Sequence, residues 1–247
     1  IRELFHILTC LCTGLTIKLT IDGNEEIFSS SHGLNDLVDD KVKDSEIIHN
    51  RMNMNFENGK NKMDMVLTYT SNYSMNMVSY VNAGDTDAGP HITTVKAIIT
   101  REFNRFFREK LWLKDNEENL SGDDIQEGMF VVFNITTPGV SYDAQTKSRV
   151  VKLDMSPFTQ AIIVALQDWM LANESDVKII ADKALAARKA REAAKKARDS
   201  ARAQSKKKEK ALKFDSKLAD CKGKPRSECE IYITEGKRNY CPNSLYL

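Results

Sequence analysis

The sequence predicts an α/β fold, and three observations carry that prediction. Short segments with β-branched, aromatic and other apolar residues at 16–20, 26–29, 52–56, 63–69, 75–82 and 129–135 have strand character. Between and after them lie segments with helical spacing of apolar residues. A long Ala-, Lys-, Arg- and Glu-rich run near the C-terminus has high intrinsic helix propensity. At 247 residues, 41% hydrophobic and 29% charged, the chain has material for one or two packed domains.

Residues 128–135, GMFVVFNI, suit a pleated surface, and residues 136–140, TTPGV, end the strand. Pro138 cannot donate to a ladder, and Gly139 tolerates turn geometry. The run 94–112 places Val95, Ile98, Ile99, Phe103, Phe106 and Phe107 on one wide helical face, with Lys96, Arg101, Arg105 and Arg108 mostly on the other. Such a helix packs on a sheet and carries no chemistry. Ser156 and Pro157 are expected to open the next helix, as a capping hydroxyl followed by Pro at the first helical position. Residues 158–171 are apolar enough for a packed helix. From Ser175 a second helix is expected to run for thirty residues or so, about 45 Å at the standard rise.

Formal net charge is +1, yet the charge is segregated. Residues 183–210 hold twelve Lys and Arg against three acids, whereas residues 115–127 are acidic. There is no apolar run of membrane-spanning length and no secretion signal, so a cytoplasmic protein without membrane association is expected. The five cysteines match no paired zinc spacing and are expected to be free buried thiols in a reducing compartment. Of the four histidines only His91 has a context, at the end of the AGDTDAGPH turn. There it is expected to fix a strand-to-helix connection.

The string SYDAQTKSR, residues 141–149, places Gln145, Thr146 and Lys147 side by side on a loop. An ammonium can stabilise a terminal phosphate, and an amide beside it can orient a water or an oxygen. Read alone, such a Lys is usually just a solvated surface cation. The basic helix also has two readings. Lys189, Arg191, Lys195, Lys196, Arg198 and Arg202 can line a path for duplex DNA through phosphate contacts. Alternatively they sit on a solvated helix braced by pairs such as Arg188 with Glu192 and Glu192 with Lys196. No aromatics interleave with these charges, so contact would be to the backbone rather than to bases.

Taken in order, VSYVNAGDTDAGPH (78–91), LSGDDIQEGMF (120–130), QTK (145–147), SKLADC (216–221) and SECEIYITEG (227–236) closely resemble the B subunit of bacterial and phage type IIA DNA topoisomerases, the gyrase and topoisomerase IV family. The resemblance implies a transducer domain with a β-α-β crossover like that of a ribosomal protein domain. In the family the Q-T-K loop reaches a neighbouring ATPase domain. Lys147 would then sense the γ-phosphate of ATP, Thr146 would share the cofactor-binding loop, and Gln145 would contact that phosphate or the attacking water. The resemblance favours duplex DNA as partner of the basic helix and places Glu235 at the magnesium-binding Glu of a Toprim domain. Further implied partners are a second B subunit and the breakage-reunion subunit.

The implied layout has residues 1–50 as the end of a GHKL-type ATPase domain and 51–173 as the transducer. A long basic helix follows over 174–212, then the incomplete start of Toprim over 213–247. The family pattern E-G-D-S breaks after Gly236, where KRNYCPNSLYL stands in place of the D-S continuation. Mg²⁺ requires several hard oxygen ligands, which Glu235 alone does not supply. The family's Asn helix, Asp-x-Gly-x-Gly segment and Gly-rich lid are also missing, and no P-loop replaces them. The chain by itself is therefore expected neither to hydrolyse ATP nor to cleave DNA; ATP and Mg²⁺ would both require parts it lacks. Two other readings remain: a non-catalytic topoisomerase-like protein that binds DNA or an intact subunit, and a mismatch-repair or chaperone ATPase. SKLADC and SECEIYITEG weigh against the latter.

Overall fold

The computed structural model describes residues 1–212 except Asp44 and Asp115, and for residues 204–212 the backbone alone. The SKLADC and SECEIYITEG segments and Glu235 lie outside the described residues. The chain divides into two compact units, Ile1–Ala193 and Ala194–Leu247.

The first unit opens with helix α1 (Arg2–Leu11) and the hairpin β1 (Thr16–Ile21) and β2 (Asn24–Ser29), followed by α2 (Leu34–Val42). Its centre is a five-stranded mixed sheet of β3 (Met52–Asn58), β4 (Asn61–Tyr69), β5 (Asn76–Val81), β6 (Gly84–Thr86) and β7 (Met129–Thr136), in the order β3-β4-β7-β5-β6. Strand β7 is antiparallel to β4 and parallel to β5, pairing Val132 with both Val66 and Val78. Parallel neighbours need a crossover. Here it passes through β6, α3 (Pro90–Glu109) and the short α4 (Gly122–Gln126).

Both faces of β7 are covered, which explains its unbroken apolar run. Met129, Val131, Phe133 and Ile135 face the main core, built with α3, α5 (Ser156–Ala172) and the start of α6 (Glu174–Leu212). Phe130 and Val132 face a second core with Cys10 and Leu11 of α1 and Leu34, Leu37, Val38 and Val42 of α2. Helix α5 contributes Phe158, Ile162, Leu166 and Met170, one residue every four and therefore one stripe.

Three expectations are corrected. Helix α3 begins at Pro90, four residues before the apolar run, because Pro at the first position is preset for helix and needs no donor. It ends at Glu109 rather than 112, where Leu111 turns the chain at φ 57°. Ser156 is not the cap of α5: Met155 occupies that position, and the Asp154 carboxylate accepts the Ser156 N–H at 3.0 Å instead. Of the thiols expected to be buried, Cys10 is buried but Cys12 is exposed. Among the described residues no helix is long and apolar enough to cross a membrane.

Candidate functional site

The Q-T-K segment does not hang directly from β7. It crosses a separate hairpin between β8 (Ser141–Tyr142) and β9 (Val150–Lys152). Its entry is fixed where Thr137 N–H donates to Asn82 Oδ1 at 3.0 Å and Asn82 Nδ2 donates back to the Thr137 carbonyl at 3.1 Å. Inside the loop, Lys147 N–H donates to the Ala144 carbonyl at 3.1 Å and Asp143 N–H to that of Arg149 at 3.2 Å. Gln145, Thr146 and Lys147 are all exposed. Lys147 adopts φ 58°, a left-handed conformation uncommon for a residue with a side chain. Its Nζ stands 5.7 Å from the centroid of the Tyr142 ring. The Tyr142 hydroxyl in turn donates to the Val81 carbonyl at 3.3 Å. Among the described residues no carboxylate pairs with Lys147.

The base of the hairpin is tied to the start of the crossover. Asp87 N–H donates to the Ser148 carbonyl at 2.7 Å, Val150 N–H donates to the Ala88 carbonyl at 2.9 Å, and Ala88 and Arg149 form a parallel bridge. Close by in the chain, His91 is fully buried, with Nε2 3.2 Å from Ser79 Oγ and 3.1 Å from Thr86 Oγ1. Burial pushes its pKa down to about 4. The ring sits where the sequence placed it, at the strand-to-helix connection. Its partners Ser79 and Thr86 were not legible, because strand alternation shows only which residues share a side.

The candidate DNA-contacting cations are all on α6. In the first unit Lys189 is exposed, whereas Arg191 donates from Nε and Nη2 to the two carboxylate oxygens of Asp124 at 2.7 and 2.9 Å. Arg191 is thereby engaged within the protein. In the second unit Lys195, Lys196, Arg198 and Arg202 are exposed, and Arg198 Nε touches the Ala194 carbonyl of its own helix, at 3.4 Å. The pair of Arg188 with Glu192 is present at 2.9 Å. Asp124 was missed as a partner, although S-x-x-D at Ser121–Asp124 is a capping-box signal.

The exposed loop offers an ammonium, an amide and a hydroxyl to an anion. An ammonium lying on an aromatic face with no carboxylate partner among the described residues can take an anionic one. Among the described residues no group of three or more His, Cys, Asp or Glu is placed to hold a metal ion.

The solved structure of the 43K ATPase domain of Thermus thermophilus gyrase B, in complex with an aminocoumarin, matches the fold with a TM-score of 0.70, at 22% identity over 80% of this chain and 55% of that one. At that identity the likeness is one of fold. A family model described as DNA gyrase B matches residues 33–200, and the chain belongs to that family. The DNA gyrase B subunit of Clostridium acetobutylicum is 32% identical over 240 residues, 93% of this chain and 37% of the relative. The DNA topoisomerase 4 B subunit of Bacillus subtilis is 28% identical over 232 residues, 92% of this chain and 35% of the relative. The chain thus spans little more than a third of the length of these curated relatives.

Proposed function

We propose that the chain is the transducer portion of an ATP-dependent type II DNA topoisomerase and couples ATP binding and hydrolysis to DNA strand passage. In this reading residues 1–50 end a GHKL-type ATPase domain, 51–173 form the transducer around its β-α-β crossover, 174–212 are the long helix, and 213–247 begin a Toprim domain. Lys147 neutralises the γ-phosphate of ATP held on a nucleotide-binding domain, and Gln145 orients the phosphate or the attacking water. Lys189, Lys195, Lys196, Arg198 and Arg202 contact duplex DNA through its backbone. A second B subunit and the breakage-reunion subunit complete the assembly, and Glu235 contributes to magnesium binding on the strength of sequence resemblance alone.

The observation that carries this reading is the Lys147 ammonium, exposed on a fastened loop with the Tyr142 ring beside it. The test is ATP turnover after joining the chain to a gyrase-type N-terminal ATPase domain, comparing Lys147 with Lys147→Ala, with and without DNA. A loss of about a hundredfold or more, roughly 3 kcal/mol of transition-state stabilisation, is expected. An unchanged rate would overturn the phosphate-sensing role and leave a non-catalytic protein that binds DNA or an intact subunit as the better reading.

A further inference from the structure

The hydrogen bonds around His91 hold one edge of its ring and leave the other bare. Ser79 Oγ–H donates to the Thr86 carbonyl at 2.6 Å, and Thr86 Oγ1–H donates to the Ser79 carbonyl at 3.0 Å. The two hydroxyls also lie 2.8 Å from each other, and both approach His91 Nε2, at 3.2 and 3.1 Å. Nε2 is thus held by two oxygens at once, whereas Nδ1 is buried without a hydrogen-bond partner. A buried polar atom left in that state calls for a reason.

The reason offered by the geometry is contact with the base of the Q-T-K hairpin. A Cβ placed on Gly89 would lie 2.8 Å from His91 Nδ1, 2.7 Å from its Cε1 and 2.7 Å from the Val150 carbonyl oxygen. Gly89 is thus wedged between the imidazole edge and the returning strand of the hairpin. Its φ of 151° with ψ of 175° belongs to a region that only glycine occupies readily. From Gly89 the connection runs through Ala88, whose carbonyl accepts from Val150 and whose neighbour Asp87 donates to Ser148. Ser148 directly follows Lys147.

We propose that His91 is a positioning residue for the Q-T-K loop: clamped by Ser79 and Thr86, its ring sets the Gly89 backbone, and through it where Lys147 stands. The β5–β6 hairpin, the first residues of α3 and the loop then move as one piece. This inference rests on the phosphate-sensing reading for its functional consequence, but not for its structural content.

The test uses amide hydrogen exchange on the full chain without nucleotide, which is independent of that reading. His91→Leu is expected to speed exchange at Asp87 and Val150 by about tenfold, the loss of roughly one hydrogen bond's support, while Val131 and Phe133 are unchanged. His91→Gln places an N–H donor near the Nε2 position and is expected to restore parent-like exchange. If His91→Leu loosens the whole core, Thr86→Val removes one acceptor while keeping the ring, and the same local loosening is expected. Unchanged exchange at Asp87 and Val150 in the folded variants, or failure of His91→Gln to rescue, overturns the proposal. In the ATPase fusion, His91→Leu should lower turnover and His91→Gln restore it. Local loosening in the full chain with no change when Lys147→Ala is assayed in the fusion would retain His91's positioning role and reject phosphate sensing.

Discussion

Arg191 grips both carboxylate oxygens of Asp124, at 2.7 and 2.9 Å, and so fastens α6 to the capping box of α4. Asp124 has a side chain only 1% exposed, whereas that of Arg191 is 46% exposed. Burial pushes the Asp124 carboxyl up, but hydrogen bonds from Arg191 and from Ser121 outweigh it and hold the group below its usual range. Asp124→Ala also loses the bond that its carboxylate accepts from the Ser121 N–H, and should destabilise by about 1–2 kcal/mol from that bond alone. Arg191→Met leaves a buried carboxylate without its cation and should lower the unfolding midpoint. The double variant should cost less than the sum, as measured in a denaturant cycle; strict additivity would mean that the contact does not couple the two helices.

Acid should loosen the protein in a defined window. His91 is neutral with a pKa pushed down to about 4 by burial. His49, also lowered by burial, donates from Nδ1 to the Asn50 carbonyl at 2.6 Å and accepts the Tyr69 N–H on Nε2 at 2.9 Å. The unfolded chain takes up these protons first, so both contributions decline as pH falls below about 6.5; that of His91, on the order of 3 kcal/mol, is lost as pH falls through about 4. Stability measured by urea titration from pH 7 to 4 should fall steadily, and His91→Gln should flatten the slope. An identical slope in that variant would exclude His91 as its source.

The β5–β6 hairpin carries a correctable cost. Asn82 and Ala83 both have positive φ, 51° and 61°, the geometry of a two-residue turn that favours Asn-Gly. Relief of the left-handed strain at Ala83 exceeds the added chain entropy, so Ala83→Gly should stabilise by about 0.5 kcal/mol. Ala83→Val should do the reverse. Equilibrium denaturation distinguishes the signs.

Duplex DNA binding, if it uses α6, should be strongly salt-dependent. Replacing Lys195, Lys196 and Arg198 by Ala should weaken affinity regardless of sequence and reduce the log–log salt slope by about 0.9 for each phosphate no longer neutralised. An unchanged slope in fluorescence anisotropy titrations would remove these residues from the interface.

The sequence by itself determined the six principal strands, the amphipathic face of α3, the existence of α5 as a packed helix, and the class of the chain, because periodicity, apolar content and ordered motifs are local properties. It also marked Gln145, Thr146 and Lys147 as candidate phosphate contacts. Only the tertiary structure decided how that loop is held, since the bridge of Ala88 to Arg149 joins segments far apart in the chain. The same holds for Arg191: in sequence it is one cation among many, and its engagement depends on Asp124, 67 residues earlier. The unpartnered Nδ1 of His91 was equally illegible, because it depends on which hydroxyls converge on the other edge of the ring, and convergence is a property of packing rather than of composition.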